Sequence, residues 1–336
     1  MKKLFCLLLC ILVIPFLLLG CLPEQQASLS PSPLDTAAPA PTPTPEPVSY
    51  TTGLPGNLTY QPVAVSIDNS SDARPQSGMQ DADIVYEVEA EGNIPRFIAI
   101  FNDTLPESVG PVRSARVYFL DILQEYDAML VHVGGPKGRG NASDVYVKFD
   151  ELGMQHIDDS GAYIWRDYSK SAPHNCFTNT SADQSAYTYE PTPRSFLYSD
   201  EGLPASAQSG AALTVPYNTA ENKSIYTYDE KLGAYLRSNG SRPLTDANTG
   251  EQVQVKNVIV QFASHSMIDE IHINIKLTGA GEAWILSGGR CVKGSWERES
   301  ADASTVFYDA KGNEVALQPG NTWINVVSTD LGVTVE

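Results

Sequence analysis

From residue 54 onward the chain changes rhythm part-way along. The runs "PVAVSID" and "AMLVHVGG" read as buried strands, and "DIVYEVEAEGNIPRFIAIFND" reads as two strands around a Gly-Asn turn. Between them, "SARVYFLDILQEYD" sets Val117, Leu120, Ile122 and Leu123 at helical spacing, with Arg113 and Arg116 at the expected helix start. A second helix is expected over "NASDVYVKFDELG", closed by Gly153. Residues from about 180 to 215 are polar and loop-like. Beyond them six strand-type runs follow, from "SIYTYDEKLGAYLRSNG" to "TWINVVS", punctuated by Gly, Asn and Asp. The pattern predicts an α+β protein: a mixed α/β N-terminal domain over 54–195, then a mostly β C-terminal domain over 215–336.

The first 53 residues follow neither rhythm. Lys2 and Lys3 precede the apolar run "LFCLLLCILVIPFLLL", and "LLGC" ends it at Cys21. That order is a lipoprotein signal peptide over 1–21, with Cys21 acylated to become the mature N-terminus. Pro15 interrupts the run, which counts against a simple transmembrane anchor. Residues 22–53 are rich in Pro, Ser and Thr and hold too few apolar side chains for a core. They read as a disordered tether of some thirty residues, reaching up to roughly 90 Å at about 3.1 Å per residue. The expected location is the extracytoplasmic face of the cell membrane, with the bilayer as partner through acylated Cys21.

Charge narrows the remaining partners. The formal net charge is −18, and Lys2 and Lys3 against Glu24, Asp35 and Glu46 leave −17 on the folded region. A nucleic-acid footprint is basic and clustered, so nucleic acid is not expected as a partner. A cell-wall polymer or an envelope protein fits the location better. After Cys21 only Cys176 and Cys291 remain, which leaves a disulfide or two buried thiols open.

Chemistry concentrates in the N-terminal half. Glu87, Glu89 and Glu91 alternate along one strand, so a two-residue repeat places them on one face and calls for nearby cations. Arg96, Arg113 and Arg116 are the candidates, serving either an internal salt-bridge network or an anionic ligand. His132 ends a strand before Gly134 and Gly135, whose missing Cβ atoms allow close approach to a ligand. "WRDYSKSAPHNCF" adds Arg166, His174 and Asn175. Either histidine could act as a general base, or both could be structural. The five histidines show no metal-ligand spacing, no Gly-x-Ser-x-Gly elbow or phosphate loop is present, and no cofactor is expected. Trp296 and Trp323 read as core anchors.

The runs "DADIVYEVEAEGNIPRFIAIF", "GPVRSARVYFLDI", "DAMLVHVGG" and "APHN", followed by "YLRSNG", "NVIVQ", "GRCVKGSW" and "NTWINVV", resemble the YerB-like lipoprotein family of Gram-positive bacteria. The resemblance spans about residues 54 to 330 and implies two domains of unknown function. Its recognisable polar positions fall here on Glu87, Glu91, Arg96, Arg113, Arg116, His132, His174 and Asn175. The family's Gly-Gly-Ser is Gly134, Gly135 and Pro136 in this chain, and its Glu-Gly-Gly turn is Glu91, Gly92 and Asn93. The first departure counts against serine-dependent chemistry. The expected role is a binding or regulatory module of the envelope, with an Arg/His-lined polar site for an anionic ligand. The alternative is an envelope-polymer hydrolase using His132 or His174 as general base.

Overall fold

The computed structural model describes residues 47–336, except 57, 91–93, 139–141, 159–160 and 218–222; Cys21 and Glu91 lie outside the described residues. Strands begin with β1 (Val63–Ile67), β2 (Ile84–Val88) and β3 (Arg96–Phe101), then α1 (Phe119–Tyr126), β4 (Met129–His132), α2 (Val145–Leu152) and β5 (His156–Asp158). A small hairpin of β6 (Ile164–Arg166) and β7 (Cys176–Thr178) and a short α3 (Thr180–Gln184) close this half. The rest is strand: β8 (Gln208–Ser209), β9 (Ala212–Pro216), β10 (Lys223–Asp229), β11 (Ala234–Asn239), β12 (Arg242–Pro243) and β13 (Gln254–Val255). Then come β14 (Asn257–Met267), β15 (Ile273–Lys276), β16 (Gly279–Ser287), β17 (Arg290–Arg298), β18 (Val306–Asp309), β19 (Thr322–Ser328) and β20 (Thr334–Val335). The described residues are therefore mostly β, with three α-helices, all in the N-terminal half.

One twelve-stranded sheet draws strands from both halves, in the order β18-β17-β16-β14-β19-β2-β3-β1-β4-β5 with β15 and β8 attached at the side. The crossing point is β19, which pairs in parallel with β14 on one side and with β2 on the other. On the far side β1, β4 and β5 are also mutually parallel. Antiparallel β3 sits between β2 and β1, so β1 and β2 run the same way. Their carboxyl ends share one edge of the sheet.

Both faces of this sheet are covered. Val63, Val65 and Ile67 point to a core shared with Leu213, Val215, Tyr226 and Tyr235 of the second, six-stranded sheet. Ala64, Ile98 and Ile100 point the other way, to Phe119, Leu123 and Phe149 of α1 and α2. Double coverage explains why β1, β2 and β4 are apolar nearly throughout rather than alternating. Trp296 and Trp323 are buried in these cores, as their sequence context predicts. Cys176 and Cys291 are buried and not joined in a disulfide.

Candidate functional site

The carboxyl edge of parallel strands is where an open sheet gathers loops and ligands. At this edge β1 runs into Asp68, which the sequence reading passed over as the end of a strand. Asp68 is buried, and a backbone N–H, a histidine and an arginine charge meet it. Its Oδ1 accepts the Ser70 N–H at 2.9 Å, while Oδ2 lies 2.7 Å from His174 Nδ1 and 3.0 Å from Arg113 Nε. Burial raises its pKa, but the Ser70 N–H, the Arg113 charge and the His174 hydrogen bond outweigh that and hold the carboxyl below its ordinary value. The structure thus brings together two of the predicted residues, Arg113 and His174, through an unpredicted third.

Arg113 does not begin a helix. Residues 111–115 run extended between β1 and β4, with Arg113 N–H donating to Ser66 O, Val133 N–H to Arg113 O and Ala115 N–H to Gly134 O. Two more predicted arginines serve the same segment, Arg96 donating to Ser114 O at 3.0 Å and Arg116 to Ala115 O at 2.7 Å. With Arg113 Nε turned to Asp68, its two terminal nitrogens have no partner among the described residues. The side chain remains 26% exposed while Asp68 is 6% exposed, so the fork faces outward from a buried anchor.

His174 is similarly divided. Nδ1 faces Asp68 and, at 3.2 Å, the Ser70 hydroxyl, whereas Nε2 has no partner among the described residues. Next to it, buried Asn175 accepts a hydrogen bond from the exposed Arg166 at 3.1 Å. The Arg166 contact supports the loop rather than the Asp68 cluster.

The other predicted groups are placed elsewhere. Glu87 does not face Arg96, Arg113 or Arg116, because both faces of β2 are buried. Its carboxylate pairs with Arg237 of β11 at 3.0 Å and accepts from Ser224 and Asn69. His132 is fully buried and stacked on Phe149. Its Nδ1 donates to Gly134 O at 2.9 Å, and a carbonyl can only accept, so Nε2 takes its hydrogen bond from His156 Nδ1 at 3.0 Å. Burial pushes the His132 pKa down to about 4, against smaller opposing effects of Gly134 and Asp158. This histidine is uncharged and sealed near neutral pH, which removes it as a base for an external substrate.

Gly134 and Gly135 also have structural employment. Gly134 sits at φ +72° with its N–H on Asp158 Oδ1, and a Cβ on Gly135 would lie 2.5 Å from Val145. The pair lets α2 close over the ends of β4 and β5. Tyr146 of α2 completes this lock by donating to Asp158 Oδ2 at 2.6 Å.

The fold defines a mostly β, two-domain protein with a polar cluster of Asp68, Arg113 and His174 at one sheet edge. A family profile described as "Protein of unknown function (DUF3048) N-terminal domain" matches residues 51–191, and one described as "Protein of unknown function (DUF3048) C-terminal domain" matches 213–324. The chain belongs to this DUF3048, YerB-like family. It is 34% identical over 280 residues to "Putative lipoprotein YerB" of Bacillus subtilis (strain 168), covering 80% of this chain and 81% of that one. The crystal structure of YerB protein from Bacillus subtilis superposes with a TM-score of 0.74 at 31% identity, over 86% of this chain and 99% of that one. The family resemblance read from the sequence holds. Among the described residues no helix is long and apolar enough to cross a membrane, and no three His, Cys, Asp or Glu side chains cluster as metal ligands.

Proposed function

We propose that this chain is a lipoprotein anchored through Cys21 on the extracytoplasmic face, and that it binds an anionic group of an envelope polymer or partner at Asp68, Arg113 and His174. The observation that carries this reading is the Arg113 guanidinium, ion-paired through its Nε with a buried carboxylate while its fork has no partner among the described residues. Such a fork matches the two oxygens of a carboxylate or phosphoryl group. In a folded region of charge −17, local cationic anchoring of this kind is what an anion needs. The anchor rests on the signal-like first 21 residues and on the relative's description as a lipoprotein.

Binding is favoured over hydrolysis by the arrangement on His174. A nucleophile relay needs the acid on one ring nitrogen and the nucleophile on the other. Here Asp68 and Ser70 both address Nδ1. Co-sedimentation with purified cell walls tests the proposal, comparing the wild type with Arg113→Gln and with Lys231→Gln as an exposed control. Loss of a charge-assisted contact of about 1.5–3 kcal/mol predicts roughly 10- to 100-fold weaker retention for Arg113→Gln only. Equal retention of all three proteins contradicts it, and release of product from the walls that His174→Ala abolishes would establish the hydrolase instead.

A further inference from the structure

Asp68 also decides where His174 keeps its proton. An ionised carboxylate has no hydrogen to give, so the 2.7 Å contact to Oδ2 places the imidazole hydrogen on Nδ1. In the neutral tautomer that this contact selects, the lone pair is on Nε2. Arg113 reaches the same Asp68 oxygen through its Nε, at 3.0 Å, so the guanidinium and the imidazole converge on one carboxylate oxygen. Both keep an open portion, 26% for Arg113 and 18% for His174.

These neighbours make opposite demands. The fork requires an anion, whereas Nε2 of that tautomer, an acceptor, requires a proton donor. A bare oxyanion satisfies the first and sets its own lone pairs against the second. An oxyanion with an adjacent hydroxyl satisfies both, because the hydroxyl donates to Nε2 while the charged oxygens take the fork. Building on the anion-binding reading, we propose that the ligand is a hydroxylated anion: a sugar or polyol bearing a phosphoryl or carboxyl group, with the oxyanion on Arg113 and a neighbouring hydroxyl on His174. The other charged groups in the loop of His174 are Arg166, Asp167, which accepts the Ser169 N–H at 2.9 Å, and Lys170. Arg166 is turned to Asn175 Oδ1 and Lys170 to the carbonyls of Ala73 and Pro75, so neither competes for Nε2.

The test is calorimetric titration of the purified protein at pH 8. Two matched pairs serve as probes: lactate against propionate, and glycerol phosphate against propyl phosphate. The hydroxylated member of at least one pair should bind about three- to tenfold tighter, the yield of one net hydrogen bond. The pair with the larger ratio identifies the charged group. His174→Phe and His174→Ala, each checked for a native thermal transition, should bring that ratio to one, while Arg113→Gln should weaken all four probes. A wild-type ratio of one in both pairs, with Arg113→Gln still weakening them all, overturns the hydroxyl proposal and leaves the anion site standing. Unchanged binding in Arg113→Gln overturns the anion site itself.

Discussion

Asp68 collects a backbone N–H, an arginine and a histidine on one buried carboxylate, and its ionisation follows from those partners. A carboxyl whose folded pKa lies below its unfolded value adds stability above the ordinary carboxylate range, and that stability is lost as pH falls through the lowered value. Asp68→Asn should therefore unfold more easily at pH 7, by about 1–3 kcal/mol, with the difference from wild type shrinking as the pH drops below about 4. Thermal melts across that range check both the sign and the window. Arg113 and His174 were visible in the sequence because charged side chains stand out in an otherwise apolar or small-residue context. Asp68 was hidden by its position directly after "VAVSI", although an acid at the carboxyl end of a buried strand is the signal that could have found it. His132 misled for the converse reason: one carbonyl and a second histidine satisfy it inside the core, and sequence does not show those partners.

Elements were legible where side-chain rhythm governs them and illegible where the backbone has competing partners. The second helix ends at Gly153, as expected, with that residue at φ +63°. Its start is fixed by Asp144, whose carboxylate accepts from Tyr146 N–H at 3.1 Å and Val147 N–H at 3.2 Å. Asp144→Ala should cost about 1 kcal/mol, measured by denaturant unfolding, and should loosen the lock that Tyr146 makes on Asp158. The first helix begins at Phe119, later than its arginines suggested. The N–H and C=O of Arg113 are already spent on Ser66 and Val133, so this residue joins the sheet instead of starting a helical turn. Glu87, the first of the alternating glutamates, failed as a surface signal for a related reason. Alternation marks one wet face, and β2 has none.

Across the whole molecule, the two halves are joined by strand pairing and by buried charge. Glu87 of β2 meets Arg237 of β11, with side chains 1% and 0% exposed, and Glu125 of α1 meets Arg298 of β17 at 3.4 Å. Both pairs link residues separated by more than a hundred positions, which is why no local pattern announced them. Removing one partner leaves an uncompensated buried charge, so Arg237→Met should cost about 3–5 kcal/mol. The double variant Glu87→Gln with Arg237→Met should recover a substantial part of that loss. A double-mutant cycle by chemical denaturation would show the coupling, and strictly additive losses would contradict it. The parallel pairing of β19 with β2 was beyond reach for the same reason: strands from opposite halves find one another by shape and core packing, which a strand's own residues do not encode.

The central claim is that an anion sits on Arg113 beside His174, and nitrogen-detected magnetic resonance of the purified protein can observe both side chains directly. During titration with soluble anionic cell-wall fragments, the Arg113 guanidinium and His174 ring signals should shift and saturate together, and Arg113→Gln should abolish the His174 response. If those signals stay fixed while others move, the ligand surface lies elsewhere and the Asp68 cluster is a structural clamp.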